Sequence, residues 1–190
     1  MKYKIGVFGS AAGEEIEIKM KIAEDLGHEL AKHNCIVING ACDGLPYKAA
    51  YTAAKEGADV WGYSPGIDLV SHMKISPTQD ISMYKKLIYT PPAFPFVDDL
   101  MSSRKYRNII STFNCDAGII ISGRWGTMNE FTNLYDMGKV IGVLTGSGGV
   151  ADEIKNLMTR ISKKTKAIVI FDSSPKALLE KIMNSLHKQE

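Results

Sequence analysis

A chain of 190 residues, 45% hydrophobic and 23% charged, can bury a substantial core and has neither a disordered nor a fibrous composition. The net charge is only +2, with lysine and arginine scattered along the chain, so no basic stripe marks a nucleic-acid binder and no nucleic-acid partner is expected. Cys35, Cys42 and Cys115 form no C-x-x-C pair and have no histidine at metal spacing, which points to a reducing compartment and away from a disulfide framework or a metal site. Met1-Lys2-Tyr3-Lys4 leads into an apolar run far too short for a signal segment or a membrane span. The expectation is therefore a cytoplasmic protein with no membrane partner.

Tyr3 to Phe8 reads as a strand and Gly9-Ser10-Ala11-Ala12-Gly13 as a tight turn. Glu14 to Lys32 places Ile18, Ile22, Leu26 and Leu30 at steps of four, a helical stripe, with Glu14, Glu15 and Glu17 in the first turns where negative charge suits the helix dipole. Cys35 to Ile38 is a second strand, Asn39 to Gly44 a loop, and Pro46 to Glu56 a helix whose Ala49, Ala50, Ala53 and Ala54 permit close packing. Asp59 to Tyr63 is a third strand. Pro65 to Asp99 breaks the rhythm with Pro65, Pro77, Pro91, Pro92 and Pro95, and Leu87-Ile88-Tyr89 is a candidate extra strand. A lid, a subunit contact and a rigid connection are all open readings of that stretch.

A helix from Met101 to about Asn114 follows, then the apolar strand Gly118 to Ser122, a helix from Thr127 to Met137 and a strand from Val140 to Leu144. Ala167 to Phe171 is the last strand, and Ser174-Pro175 supplies an N-cap and first-turn proline for a helix to Leu186. Strand and helix alternate with short turns. The expected fold is an α/β, Rossmann-like three-layer αβα sandwich with a mainly parallel sheet, formed as one nucleotide-binding domain over residues 1–190.

In such a fold, ligands bind beyond the carboxyl ends of the strands. Three loops qualify: Gly9 to Gly13, Asn39 to Gly44, and Ser122-Gly123-Arg124-Trp125-Gly126-Thr127. Their small residues allow close backbone approach, and helix N-termini present N–H groups to an anion. Neither G-x-G-x-x-G nor G-x-x-x-x-G-K-[ST] is present, and the second strand ends in Asn39 rather than an acid, so a mononucleotide or sugar phosphate suits the chain better than NAD or ATP. Thr127 and Glu130 read structurally as a capping box, or functionally as a phosphate-binding helix start with a carboxylate aimed at the sugar. Arg104 is a candidate phosphate or sugar contact beside Lys105, while Arg107 reads as part of a solvated basic face. Cys42 reads as a packing residue, and His28, His33 and His72 enter no constellation.

Together these segments resemble the LOG family, cytokinin-activating phosphoribohydrolases formerly described as possible lysine decarboxylases. The likeness runs from about Val7 to Leu144. It includes Val7-Phe8-Gly9-Ser10, the glycine-rich turn Asn39-Gly40-Ala41-Cys42-Asp43-Gly44-Leu45, the M-x-x-R-K pattern at Met101, Arg104 and Lys105, and the P-G-G-x-G-T-x-x-E pattern at Gly123, Gly126, Thr127 and Glu130. Ser122 and Arg124 depart from that pattern, as does Pro46 after Leu45.

The resemblance implies hydrolysis of the N-glycosidic bond of a nucleoside 5′-monophosphate by a homodimer without metal or cofactor. Arg104 and Glu130 would be catalytic, and Ser10, Gly40, Lys105, Gly123, Gly126 and Thr127 would hold the nucleotide, with Arg124 and Trp125, which this chain adds, as a further phosphate contact and a stacking surface. The altered loop, with the bulk and charge of Arg124 and Trp125, leaves as the alternative a non-catalytic carrier of a nucleotide or a molybdenum-cofactor-like ligand. Lysine decarboxylation is rejected, because it needs an electron sink and no lysine site for one is recognisable.

Overall fold

A computed structural model describes residues 2–12, 16–161 and 163–189, leaving aside the side chains of residues 16–18. Among the described residues, strands β1 (Tyr3–Gly9), β2 (Cys35–Asn39), β3 (Asp59–Tyr63), β4 (Lys86–Ile88), β5 (Ala117–Ile121), β6 (Val140–Leu144) and β7 (Ile168–Asp172) make one sheet. Helices α1 (Ile16–Ala31), α2 (Leu45–Lys55), α3 (Leu69–Ile75), α4 (Leu100–Phe113), α5 (Trp125–Asp136), α6 (Gly149–Arg160) and α7 (Pro175–His187) connect or follow them. The strand order is β4-β3-β2-β1-β5-β6-β7 and every neighbouring pair is parallel, so the expected Rossmann-like sheet is parallel throughout.

A parallel sheet has helices on both faces, and its central strands are apolar at every position. β5 and β6 are buried along their whole length. The two-residue period of a strand sorts their side chains into two cores. Ile5, Val7, Ile119 and Ile121 join the core of α1, α2 and α7, through Leu26, Leu30, Ala49, Ala53, Leu178 and Ile182. Phe8, Ile120, Ile141 and Val143 join Phe131 and Leu134 of α5 and Ala151 and Ile154 of α6. The small residues of α2 serve close packing as expected: Ala49, Ala50 and Ala53 are fully buried, and a Cβ on Gly27 of α1 would stand 2.5 Å from the Ala49 carbonyl.

Several local readings change. α3 and α6 were not anticipated. α3 is a short helix opened by a reciprocal Asp68–Ser71 capping box inside the proline-bearing stretch, which also supplies β4, one residue earlier than expected. α6 begins at Gly149, which like Gly146 and Gly148 before it has positive φ, and those glycines give its start the look of a loop. The proposed capping box at Thr127 is absent: α5 begins at Trp125 with Arg124 as N-cap, Thr127 lies within the first turn, and no side chain caps the helix. The expected negative charge of Glu14 and Glu15, and the side chains of Glu17 and Ile18, lie outside the described residues.

The chain turns one way from β1 to β2 and the other way from β5 to β6, so the order reverses between β1 and β5. At such a point the connections diverge and leave a crevice at the carboxyl ends of the strands.

Candidate functional site

A cavity of about 520 Å³ occupies that crevice. Val7 to Ala12 line it from the end of β1, Gly40, Cys42, Asp43 and Pro46 from beyond β2, Met101, Arg104, Lys105, Arg107 and Asn108 from α4, and Arg124, Gly126, Thr127 and Glu130 from α5. Of the ten residues anticipated from sequence, Ser10, Gly40, Arg104, Lys105, Arg124, Gly126, Thr127 and Glu130 therefore meet here.

Ser10 joins the three loops. Its Oγ accepts the Gly123 N–H at 3.0 Å, and its carbonyl accepts the Leu45 N–H at 2.9 Å, at the start of α2. Ser122 and Gly123 both adopt positive φ, at 54° and 105°, a region where only glycine carries little strain. That conformation turns their carbonyls onto the N–H groups of Ala151 and Val150 at the start of α6, at 3.1 and 2.9 Å. The Ser122 N–H meanwhile donates to Ser147 Oγ at 2.7 Å. The Ser122 and Gly123 amides are thus committed inside the protein, and Gly123 shapes the loop without lining the cavity. Trp125, 84% exposed, also stands outside it.

The anion-facing surface comes next along the chain. With no side-chain cap, the first-turn amides of α5 stay available near Gly126 and Thr127, at the positive end of a helix dipole. Asn108 on α4 holds this turn in place, its Nδ2 donating to Asn129 Oδ1 at 3.1 Å and to the Gly126 carbonyl at 3.5 Å.

Arg107 is the clearest correction to the sequence reading. Rather than lying on a solvated face, it is half-buried against the cavity, with Nη1 donating to the Gly40 carbonyl and Nη2 3.7 Å from Cys42 Sγ. Its Nε is buried without a partner among the described residues. The signal was present in the sequence: Arg104, Arg107 and Asn108 are spaced i, i+3 and i+4, on one helical face.

Glu130 sits one turn below Thr127, 6% exposed, and its carboxyl accepts no hydrogen bond among the described residues. Burial pushes its carboxyl up to about 7, against the opposing pull of the Arg107 and Lys105 charges. A carboxyl that exchanges its proton near neutrality, beside cations in a crevice, is suited to acid–base work. Among the described residues, no group of three or more His, Cys, Asp and Glu side chains is placed to hold a metal, and no helix is long and apolar enough to cross a membrane.

Solved structures share this architecture. The chain matches TM1055 with a TM-score of 0.77 at 21% identity, over 97% of this chain and 99% of that one. The molybdenum cofactor carrier protein of Chlamydomonas reinhardtii matches with a TM-score of 0.70 at 20% identity, over 100% of both chains. DNA processing protein A of Helicobacter pylori, described by its single-stranded DNA binding mode, matches with a TM-score of 0.63 at 18% identity, over 98% of this chain and 81% of that one. These likenesses establish the fold.

The expectation of no nucleic-acid partner rests on cations scattered along the sequence, but in the fold those at 104, 105, 107 and 124 converge on one cavity. No curated protein matches the chain. The profile of the SLOG cluster4 family matches residues 2–179, nearly the full length, and the chain belongs to that family.

Proposed function

We propose that the chain hydrolyses the N-glycosidic bond of a nucleoside 5′-monophosphate, releasing free base and ribose 5-phosphate. The observation that carries the reading is Glu130: a buried carboxyl that accepts no hydrogen bond among the described residues, held up to about 7, in the same cavity as Arg104, Arg107 and the start of α5.

In this reading the first turn of α5, with Arg124 and Lys105, takes the phosphate, and Arg104 orients the sugar phosphate with its fork of donors. Glu130 as carboxylate removes a proton from a water as the water oxygen bonds to C1′. The C1′–N bond breaks, its electron pair leaves with the base, and the proton passes on to the base. The same carboxylate stabilises positive charge developing on the ribose ring. Ser10 and Gly40 shape the floor and rim, and Gly123 sets the loop. Trp125 is assigned a part only as a surface that a larger ligand reaches.

The whole chain acts as one nucleotide-binding unit, in the cytoplasm and as a homodimer. The test is to supply a panel of nucleoside 5′-monophosphates and detect ribose 5-phosphate. Its appearance above the uncatalysed rate supports the reading, and its absence with every substrate removes it.

A second reading is favoured by one departure: Arg124 adds a cation where the resembling enzymes carry glycine. Under it the cavity retains a nucleotide or a molybdenum-cofactor-like ligand without cleaving it, a role akin to that of the carrier among the structural neighbours. Stoichiometric retention without turnover would select that reading.

A further inference from the structure

Asp43 lines the cavity in a position that the proposed chemistry leaves unused. Its Oδ1 accepts a hydrogen bond from Gln79 Nε2 at 3.2 Å. Gln79 is itself only 5% exposed, and its Oε1 accepts the Tyr84 hydroxyl at 3.0 Å, which fixes the amide so that its N–H faces the carboxylate. Asp43 is thus held as an acceptor, and no lysine or arginine pairs with it among the described residues. Pro46 and Ile75 give apolar surface to the same cavity, and Ser76, 2% exposed, adds a polar edge.

The contacts of Arg107 order the cavity. One guanidinium touches Gly40 and Cys42 of the loop that carries Asp43 and also acts on the Glu130 carboxyl, so it links the two sides of the cavity that all of them line. With the phosphate at the first turn of α5 and the sugar at Glu130, the base falls on the Asp43 side. The placement of the ligand rests on the proposed function; the chemistry of the wall does not.

A carboxylate offers only acceptors and pairs best with two parallel N–H donors. Adenine presents a donor beside an acceptor, and uracil a single N–H. Guanine presents a ring N–H beside an exocyclic amino group, and pterins carry the same 2-amino-4-oxo edge. We infer that Asp43, held by Gln79, is the base-specificity residue of this cavity and selects a ligand bearing a 2-amino-4-oxo-pyrimidine edge.

The test is calorimetric titration of the full chain with GMP, IMP, AMP, a pterin bearing a 6-methyl phosphate, and ribose 5-phosphate. IMP lacks only the amino group. GMP or the pterin should bind at least about tenfold more tightly than IMP, since losing one donor leaves an oxygen of the part-buried Asp43 carboxylate without its partner. Asp43→Asn should erase that preference while leaving ribose 5-phosphate binding within about twofold. The stronger of GMP and the pterin phosphate identifies the source of the edge.

Equal binding of GMP, the pterin and IMP by the unmodified protein overturns the inference, as does equal weakening of ribose 5-phosphate and GMP by Asp43→Asn. The two proposals fail separately. Amino-edge selectivity without release of base removes the hydrolase and keeps Asp43, whereas cleavage of GMP and IMP with equal affinity keeps the hydrolase and removes Asp43.

Discussion

The guanidinium of Arg107 reaches from α4 to the backbone carbonyl of Gly40 beyond β2, 2.5 Å from its Nη1. The bond closes one wall of the cavity and sets a positive charge near Glu130, and it depends on the absence of a side chain at residue 40. A Cβ built there would fall 1.4 Å from Nη1. The obstructing atom is the end of a flexible side chain, so the fold should yield easily while the site should not. Gly40→Ala is expected to lower turnover by about tenfold or more while unfolding within about 1 kcal/mol of the parent. Steady-state rates and urea denaturation of the same preparation check both halves.

Glu130 links the site to stability. Its folded carboxyl is raised to about 7 from an ordinary 4.5, so between those values the folded chain holds a proton that the unfolded chain releases. Stability therefore falls as pH rises through that window and levels off above it. Glu130→Gln removes the penalty: the variant should be more stable than the parent at pH 8 by up to roughly 3 kcal/mol, and the gap should close toward pH 4.5. Denaturant titrations at both pH values measure it.

The same proton governs rate. If Glu130 acts as the base, kcat/KM should rise with pH and flatten above about 7, following the ionisation of its carboxyl. A pH–rate profile with a non-titrating reference substrate reads this limb directly, and a flat profile between pH 5 and 9 would remove Glu130 from the proton transfer.

Much of this fold is legible in the sequence because a doubly covered parallel strand cannot avoid being apolar throughout: Ala117–Ile121 and Val140–Leu144 announce themselves. α6 escaped because the three glycines of positive φ around its start resemble a turn, and α3 because a seven-residue helix among prolines shows barely two turns of period. At the site, loop chemistry and the Arg104 and Glu130 motifs could be read from local spacing. Arg107 was placed on a solvated face because charge alone does not reveal which side of α4 meets the cavity. Nothing in the loop around Asp43 marks its role, and its hold on Gln79 spans thirty-six residues of sequence, which no local pattern encodes.

Ser10 offers a structural check on how the loops are assembled. Replacing it with alanine leaves the Gly123 N–H without its acceptor in a buried turn, which should cost about 1–3 kcal/mol. The loss should also loosen Ser122 and Gly123 where they meet α6. Thermal unfolding together with amide exchange at Gly123 and Val150 tests the assignment, and unchanged protection at both would contradict it.

The proposed cleavage of an N-glycosidic bond turns on Glu130. The most direct measurement incubates the purified chain with nucleoside 5′-monophosphates and quantifies free base and ribose 5-phosphate, beside Glu130→Gln and Arg104→Ala whose folding has been verified. The unmodified chain should release both products in equal amounts, with a loss of about a thousandfold or more in Glu130→Gln with substrate still bound and a similar fall in Arg104→Ala. Tight binding of a nucleotide with no release, or release undiminished in Glu130→Gln, would contradict it.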